Sequence, residues 1–270
     1  MTRVIVHAGF HKTGTTSLQD FLKENQTALA PFFSYYGKAD FLQAGANARI
    51  FAQRPFYWRR LAFRRSFRRF LNHIPDAPII VLSRETFSGV MPGHRDILGR
   101  TIKDQTPTAI ILAREIVQLL KKRFGPQTEI EFLFTTRDRE NWIDSIYGHL
   151  LRSIDLTRDR EAFHIQLADL PAPESMTRKI AASITPVCVH TARLEEFAAN
   201  PEGPAAAVLD LLNIPDKVRK RLTPVPRKNL GEPDMLRARF LELNRGTANK
   251  GALKAIKERI LQETNRRSGI

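Results

Sequence analysis

A chain of 270 residues is long enough to bury one large α/β core or two small ones, and 42% hydrophobic with 26% charged residues is the composition of a globular protein built around such a core. No apolar run approaches the roughly 18 residues that would span a bilayer, and a single cysteine, Cys188, excludes an internal disulfide framework and suits a reducing, cytoplasmic setting. The net charge of +15 is unevenly placed: residues 41–75 hold eight arginines and no acid, and residues 217–270 hold fifteen Lys/Arg against five Asp/Glu. Two basic blocks thus flank a near-neutral remainder, which points to polyanionic ligands or surfaces.

The first element is the most informative. Met1 to His7 is too short in its apolar part for a signal peptide and reads as a strand. Gly9-Phe-His-Lys-Thr-Gly14 follows as a turn, and Thr15, Thr16 and Ser17 open a helix carrying Leu18, Phe21 and Leu22 to about Ala28. Strand, glycine-rich turn and helix in that order build an anion site, because backbone N–H groups and the positive end of the helix macrodipole converge on one point. The spacing Gly9-x4-Gly14 matches half of the nucleotide-triphosphatase P-loop. That motif continues with Lys-Ser/Thr, whereas here Thr15-Thr16 follows Gly14 and the lysine, Lys12, lies inside the turn. A lysine displaced in this way suggests that a different group is transferred.

Further along, Phe33 to Gly37 reads as a second strand. Phe63, Phe67, Phe70, Leu71 and Ile74 form the apolar stripe of a helix whose other face carries Arg64, Arg65, Arg68 and Arg69. That face is either solvated or a platform for an anionic substrate, a nucleic acid or a membrane. Ala77–Ser83 is a buried strand of parallel-sheet type running into Arg84-Glu85, and strand ends of this kind face the ligand crevice. Residues 107–124 predict a helix with Ile110, Ile111, Ala113, Ile116, Val117 and Leu120 in the core. Glu129–Thr136 is the next strand, followed by Arg137 and a helix over 140–153 that points Trp142, Ile146 and Leu150 inward. Residues 154–184 read as loops and short helices. Pro186–Thr191 is a last strand, with Cys188 expected in the core. Helices over 205–212, 233–245 and 250–266 close the chain. Alternating strands and helices predict a single domain over 1–270, an α/β three-layer sandwich with a central parallel sheet.

Lys12-Thr-Gly-Thr-Thr-Ser17 after an N-terminal strand resembles the 5′-phosphosulfate loop of sulfotransferases that use 3′-phosphoadenosine 5′-phosphosulfate (PAPS), with bacterial members in particular. In that family an arginine ending a later strand and a serine eight residues on hold the donor 3′-phosphate; Arg137 and Ser145 reproduce that spacing. Pro226–Gly231 resembles the late loop that folds over the nucleotide, which would bring Arg227 and Lys228 to the same phosphate. The resemblance implies a P-loop-like fold and transfer of a sulfuryl group from PAPS to a hydroxyl or amine, leaving adenosine 3′,5′-bisphosphate. It assigns Lys12 to the bridging oxygen of the leaving phosphate, and Thr13, Gly14, Thr15, Thr16 and Ser17 to phosphosulfate binding. Glu85 is the first candidate for the base and His11 the second. The chemistry does not require Mg²⁺, and no His/Cys/Asp cluster has metal-ligand spacing, so no metal is expected. The acceptor is expected to be a carbohydrate or glycolipid rather than a small alcohol, on a cytoplasmic protein whose basic blocks leave contact with the inner membrane face open.

Two other classes compete. An ATP-dependent P-loop kinase or NTPase needs a lysine after Gly14 and a Mg²⁺-binding aspartate at a strand end. A nucleic-acid- or membrane-surface-binding protein would use the basic blocks directly, although no helix-turn-helix, zinc or RNA-recognition signature is present.

Overall fold

The structure is a computed structural model and describes residues 1–197, 199–225, 233–246 and 249–267. The chain forms two compact units, one of Met1–Arg139 with Leu170–Lys228, the other of Glu140–Asp169 with Asn229–Ile270.

The first unit is α/β. Its elements begin with β1 (Arg3–His7), α1 (Thr15–Glu24), α2 (Gln26–Leu29), β2 (Ser34–Tyr36), α3 (Leu42–Gln53) and α4 (Tyr57–His73). They continue through β3 (Ile79–Ser83), α5 (Thr106–Phe124) and β4 (Glu129–Thr136), after which α6 (Arg139–Ser153) and α7 (Arg160–Gln166) lead into the second unit. The chain returns with α8 (Pro173–Ile184), β5 (Cys188–Arg193), α9 (Ala206–Leu211) and α10 (Asp216–Arg219). The five strands are parallel in the order β2-β3-β1-β4-β5.

Both faces of the sheet are covered, which is why its strands read as continuous apolar runs. Ile5, Val81, Leu133 and Tyr35 pack on one side against Leu18, Phe21 and Leu22 of α1 and Val208 and Leu209 of α9. The alternate residues Val4, Val6, Ile80, Leu82, Phe132 and Phe134 point the other way and are equally buried. After β1 the chain leaves toward β2, and after β4 it leaves toward β5. The crevice between these two strand ends is where an open parallel sheet accepts ligands.

Three expectations shift. The first helix breaks at Asn25, whose side chain donates to Phe21 O and Thr223 O (both 3.0 Å) and accepts from Thr223 N–H (2.7 Å). The buried stripe of α5 is Ala109, Leu112, Ala113, Ile116, Leu119 and Leu120, leaving Ile110, Ile111 and Val117 half-buried. What turns the helix is Glu115, fully buried and ion-paired with Arg60 and Arg64 of α4. Part of the arginine-rich face is therefore structural. Finally, Cys188 is exposed, because β5 is the edge strand.

The second unit is helical and includes α11 (Asp234–Gly246) and α12 (Lys250–Arg267). Trp142, Ile146 and Leu150 are buried as expected. The last carbonyls of α6 would lack partners; Asn244 donates to Leu151 O and Leu156 O (3.1 and 2.8 Å), and Lys257 Nζ donates to Leu151 O and Ile154 O (both 2.7 Å).

The Glu115 ion pairs yield an asymmetric expectation. Replacing Arg60 and Arg64 together with alanine strands a buried carboxylate and should cost about 3–5 kcal/mol in urea unfolding. Glu115→Gln, which leaves two arginines able to reach water, should cost clearly less.

Candidate functional site

The turn after β1 continues the sheet for one residue, with Ala8 N–H donating to Leu133 O at 3.0 Å. It then doubles back through two left-handed residues, Lys12 at φ 69° and Gly14 at φ 92°. A lysine in that conformation is uncommon. Glycine is required at position 9 for another reason: a Cβ there would lie 2.2 Å from Thr135 Oγ1 and 2.6 Å from His7 Nε2.

A file of hydrogen bonds beneath the turn fixes its shape. Thr13 Oγ1 lies 2.6 Å from Phe10 O and 2.9 Å from Thr135 Oγ1. Thr135 Oγ1 is 3.3 Å from His7 Nε2, His7 Nδ1 is 2.7 Å from Ser83 Oγ, and Gln19 Nε2 is 3.2 Å from Ser83 Oγ. A carbonyl only accepts and an amide nitrogen only donates, so the two ends set the direction. Thr13 donates to Phe10 O, Thr135 to Thr13, His7 Nε2–H to Thr135, Ser83 to His7 Nδ1, and Gln19 to Ser83. His7 is accordingly the neutral Nε2–H tautomer, and its complete burial lowers its pKa to about 4 despite the opposing charge of Glu85.

The hydroxyls of the motif divide. Thr13 and Thr15 are buried and brace the turn, Thr15 Oγ1 lying 3.5 Å from Phe10 O. Thr16 is exposed and Ser17 half-buried. The N–H groups of the first turn of α1 have no intrahelical acceptor, and among the described residues no side chain caps them. Lys12 is half-buried at the turn.

Glu85 opens a 3-10 turn, Glu85–Ser88, directly after β3. Gln19 Nε2 reaches Glu85 Oε2 at 3.4 Å as well as Ser83 O at 3.1 Å, so α1 carries the residue that orients this carboxylate. Burial opposes its ionisation, but the charges of His11, Arg84 and Lys38 outweigh that and hold its pKa below 4.5. His11 Nε2 donates to Gly89 O at 3.3 Å, which leaves Nδ1 as the basic nitrogen of the neutral ring. Burial lowers the His11 pKa below 6.5, against the pull of Glu85. The structure thus brings His11 and Glu85 into one electrostatic cluster.

The rest of that cluster is Arg84, beside Glu85 in the sequence, and three residues that sequence reading missed: Arg49, His94 and Gln105. Arg84 is buried, with Nε donating to Thr86 Oγ1 at 3.2 Å and Nη1 to Lys38 O at 3.5 Å, and its guanidinium occupies the space a Cβ on Gly45 would need. Arg49, one turn after Gly45 on α3, and His94 complete the surroundings; burial, then the charges of His11 and Arg49, lower the His94 pKa to about 4. Gln105, 1% exposed beside Gly89, has no partner for either end of its amide among the described residues. Arg49, His94 and Gln105 belong to no motif. Only the glycine at 45, spaced four residues before Arg49, hints at a close approach.

Arg137 follows β4 directly, is half-buried, and makes no hydrogen bond or ion pair among the described residues. Ser145 lies in the second turn of α6, in the helical unit, and is half-buried. Arg227 and Lys228 lie outside the described residues. Among the described residues, no group of three or more His, Cys, Asp or Glu side chains is placed to hold a metal ion. No protein-family model matches the chain, and no curated protein matches it.

The neutral His7 makes stability pH-dependent. Its folded pKa lies below its unfolded value, so the unfolded chain binds the extra proton first as pH falls. Stability from this residue should be complete above about pH 6.5, decline by about 3 kcal/mol down to pH 4, and then level off. Chemical denaturation at a series of pH values, with His7 followed by NMR titration, checks this.

Proposed function

We propose that the chain is a sulfotransferase that uses PAPS as donor and acts by in-line displacement. The observation carrying this reading is the turn itself. A left-handed lysine and a left-handed glycine bracket a buried threonine at the end of the central strand, and an uncapped helix begins immediately after. Anion binding is what such a turn supports. The position of Lys12 within it, rather than after Gly14, favours a phosphosulfate over a nucleoside triphosphate.

The residues suit that donor. The first N–H groups of α1 with the Thr16 hydroxyl would receive the 5′-phosphate, and Arg137, which makes no ion pair among the described residues, would receive the 3′-phosphate through a charge-assisted fork. Ser145 and the pair Arg227 and Lys228 extend the 3′-phosphate assignment by resemblance alone. Bound PAPS supplies a sulfuryl group whose sulfur is attacked by the acceptor oxygen as the bond to the bridging phosphate oxygen breaks. Lys12 stabilises the negative charge that gathers on that oxygen. The acceptor proton passes to Glu85 or to His11 Nδ1. Gln19, held by Ser83, keeps Glu85 in place, which fixes the attack geometry at little entropic cost.

Three measurements test the reading. Adenosine 3′,5′-bisphosphate should bind without Mg²⁺, and Arg137→Ala should weaken that binding by about 1.5–3 kcal/mol, the worth of a hydrogen bond to a charged group. Mg²⁺-dependent ATP binding with no bisphosphate affinity would instead identify a P-loop NTPase. Lys12→Met should abolish transfer while leaving bisphosphate affinity within a few-fold; retained turnover removes Lys12 from the mechanism. The base is identified by the acidic limb of kcat/KM against pH. Both groups are held below their ordinary ranges, so the assignment rests on the variants: loss of the acidic limb in His11→Asn assigns the proton to His11, and its loss together with rate in Glu85→Gln assigns it to Glu85.

A further inference from the structure

We propose that the outward face of α4 is a docking surface for anionic lipid bilayers, with Tyr57, Trp58 and Leu61 entering the headgroup–acyl boundary and Arg65, Arg68 and Arg69 lying on the phosphates. The argument is independent of the sulfotransferase reading.

The α4 helix is amphipathic in an unusual sense. Its inner face is phenylalanine-rich, with Phe63 and Phe67 fully buried and stacked 5.7 Å apart. Its outer face also carries large apolar groups, but only in the first two turns. Tyr57 is 68% and Trp58 60% exposed, and Leu61, one turn on, is half-buried. Phe56 stacks on the Trp58 ring at 4.6 Å, so the indole is held rigidly outward. Burying two such aromatics is worth far more than leaving them in water, and their amphipathic rings suit the bilayer interface.

The remaining turns of the same face are cationic. Arg65, Arg68 and Arg69 are exposed and make no side-chain hydrogen bond or ion pair among the described residues. Neighbouring Arg60 and Arg64 are different, since both are committed to the single buried carboxylate of Glu115. No acid occurs between Asp40 and Asp76, so nothing on this face of α4 offsets the three arginines. The helix is 17 residues long, about 25 Å at 1.5 Å per residue. Aromatic anchors at one end and arginines over the following turns can therefore engage one flat surface together.

A cleft beside the cationic end adds a seat for a headgroup. Arg68, Leu71 and Asn72 of α4 line it with Leu119, Lys122 and Arg123 of α5. Arg123 is committed to Asp76 at 2.7 Å and to Leu71 O and Ile74 O, which leaves Arg68 and Lys122 as the cations facing the opening. A headgroup phosphate there would meet both cations, while Leu71 and Leu119 form the buried floor of the cleft. A nucleic acid or an anionic polysaccharide could use the arginines but has no need of the Tyr57–Trp58–Leu61 cluster at its end.

The chain has two tryptophans, and Trp142 is fully buried in the helical unit, so Trp58 is a natural reporter. Vesicles of phosphatidylcholine mixed with phosphatidylglycerol should sediment the protein and shift its tryptophan emission to the blue; phosphatidylcholine alone should do neither. Trp58→Phe should abolish the shift and keep most of the binding. Replacing Arg65, Arg68 and Arg69 with glutamine should weaken partitioning on the order of a hundredfold. Absence of binding to the mixed vesicles at low salt overturns the proposal. So does binding without an emission shift, or binding to heparin or single-stranded DNA as tight as to vesicles at the same salt, which would assign the face to another polyanion. The wild-type emission measurement stands even if the triple variant fails to fold.

Discussion

His7 sits at the centre of the sheet with no access to water, and both nitrogens of its ring must find partners inside the protein. It meets Ser83 on one neighbouring strand and Thr135 on the other, and through them it is tied to Gln19 on the first helix and Thr13 in the turn. Every donor in this file is committed by its neighbour, so no member can rotate without leaving a buried polar group unpaired. The turn is rigid for that reason, and its two left-handed residues can persist. Gln19 links the same file to Glu85. The turn and the candidate base are therefore set relative to each other by one network, anchored at the carboxyl end of the sheet.

The arginines illustrate how one residue type is put to unlike uses in neighbouring turns. Arg60 and Arg64 neutralise a buried glutamate and hold α4 on α5. Arg84 is buried against a glycine of α3 and tunes the electrostatics around Glu85. Arg65, Arg68 and Arg69 are in water. Charge counting alone would assign all of them to one surface.

Legibility in the sequence followed the physics of each feature. The β4 strand was readable to the residue because eight consecutive positions have strand character and a glycine-proline turn precedes them. The strand–turn–helix at the N-terminus was readable because glycine spacing and apolar runs are local signals. The core phase of α5 was not, since Glu115 is polar by type and buried only through partners on another helix. Nor was the division of hydroxyls in the turn, because whether Thr13 faces in or out depends on Thr135, far away in sequence. Arg49, His94 and Gln105 assemble around Glu85 and His11 through tertiary contacts between segments that carry no motif. Cys188 failed for a related reason: an apolar run reads as core, but strand order decides which strand lies at the margin.

That marginal strand has a practical corollary. The only thiol of the chain faces outward on β5, and it enters the ladder opposite Glu131, near the amino end of the strands. The turn after β1 lies at the other end of the sheet. A fluorophore or spin label coupled through maleimide would thus attach at one known place, without prior mutagenesis and without crowding the turn, giving a distance ruler already built into the native polypeptide.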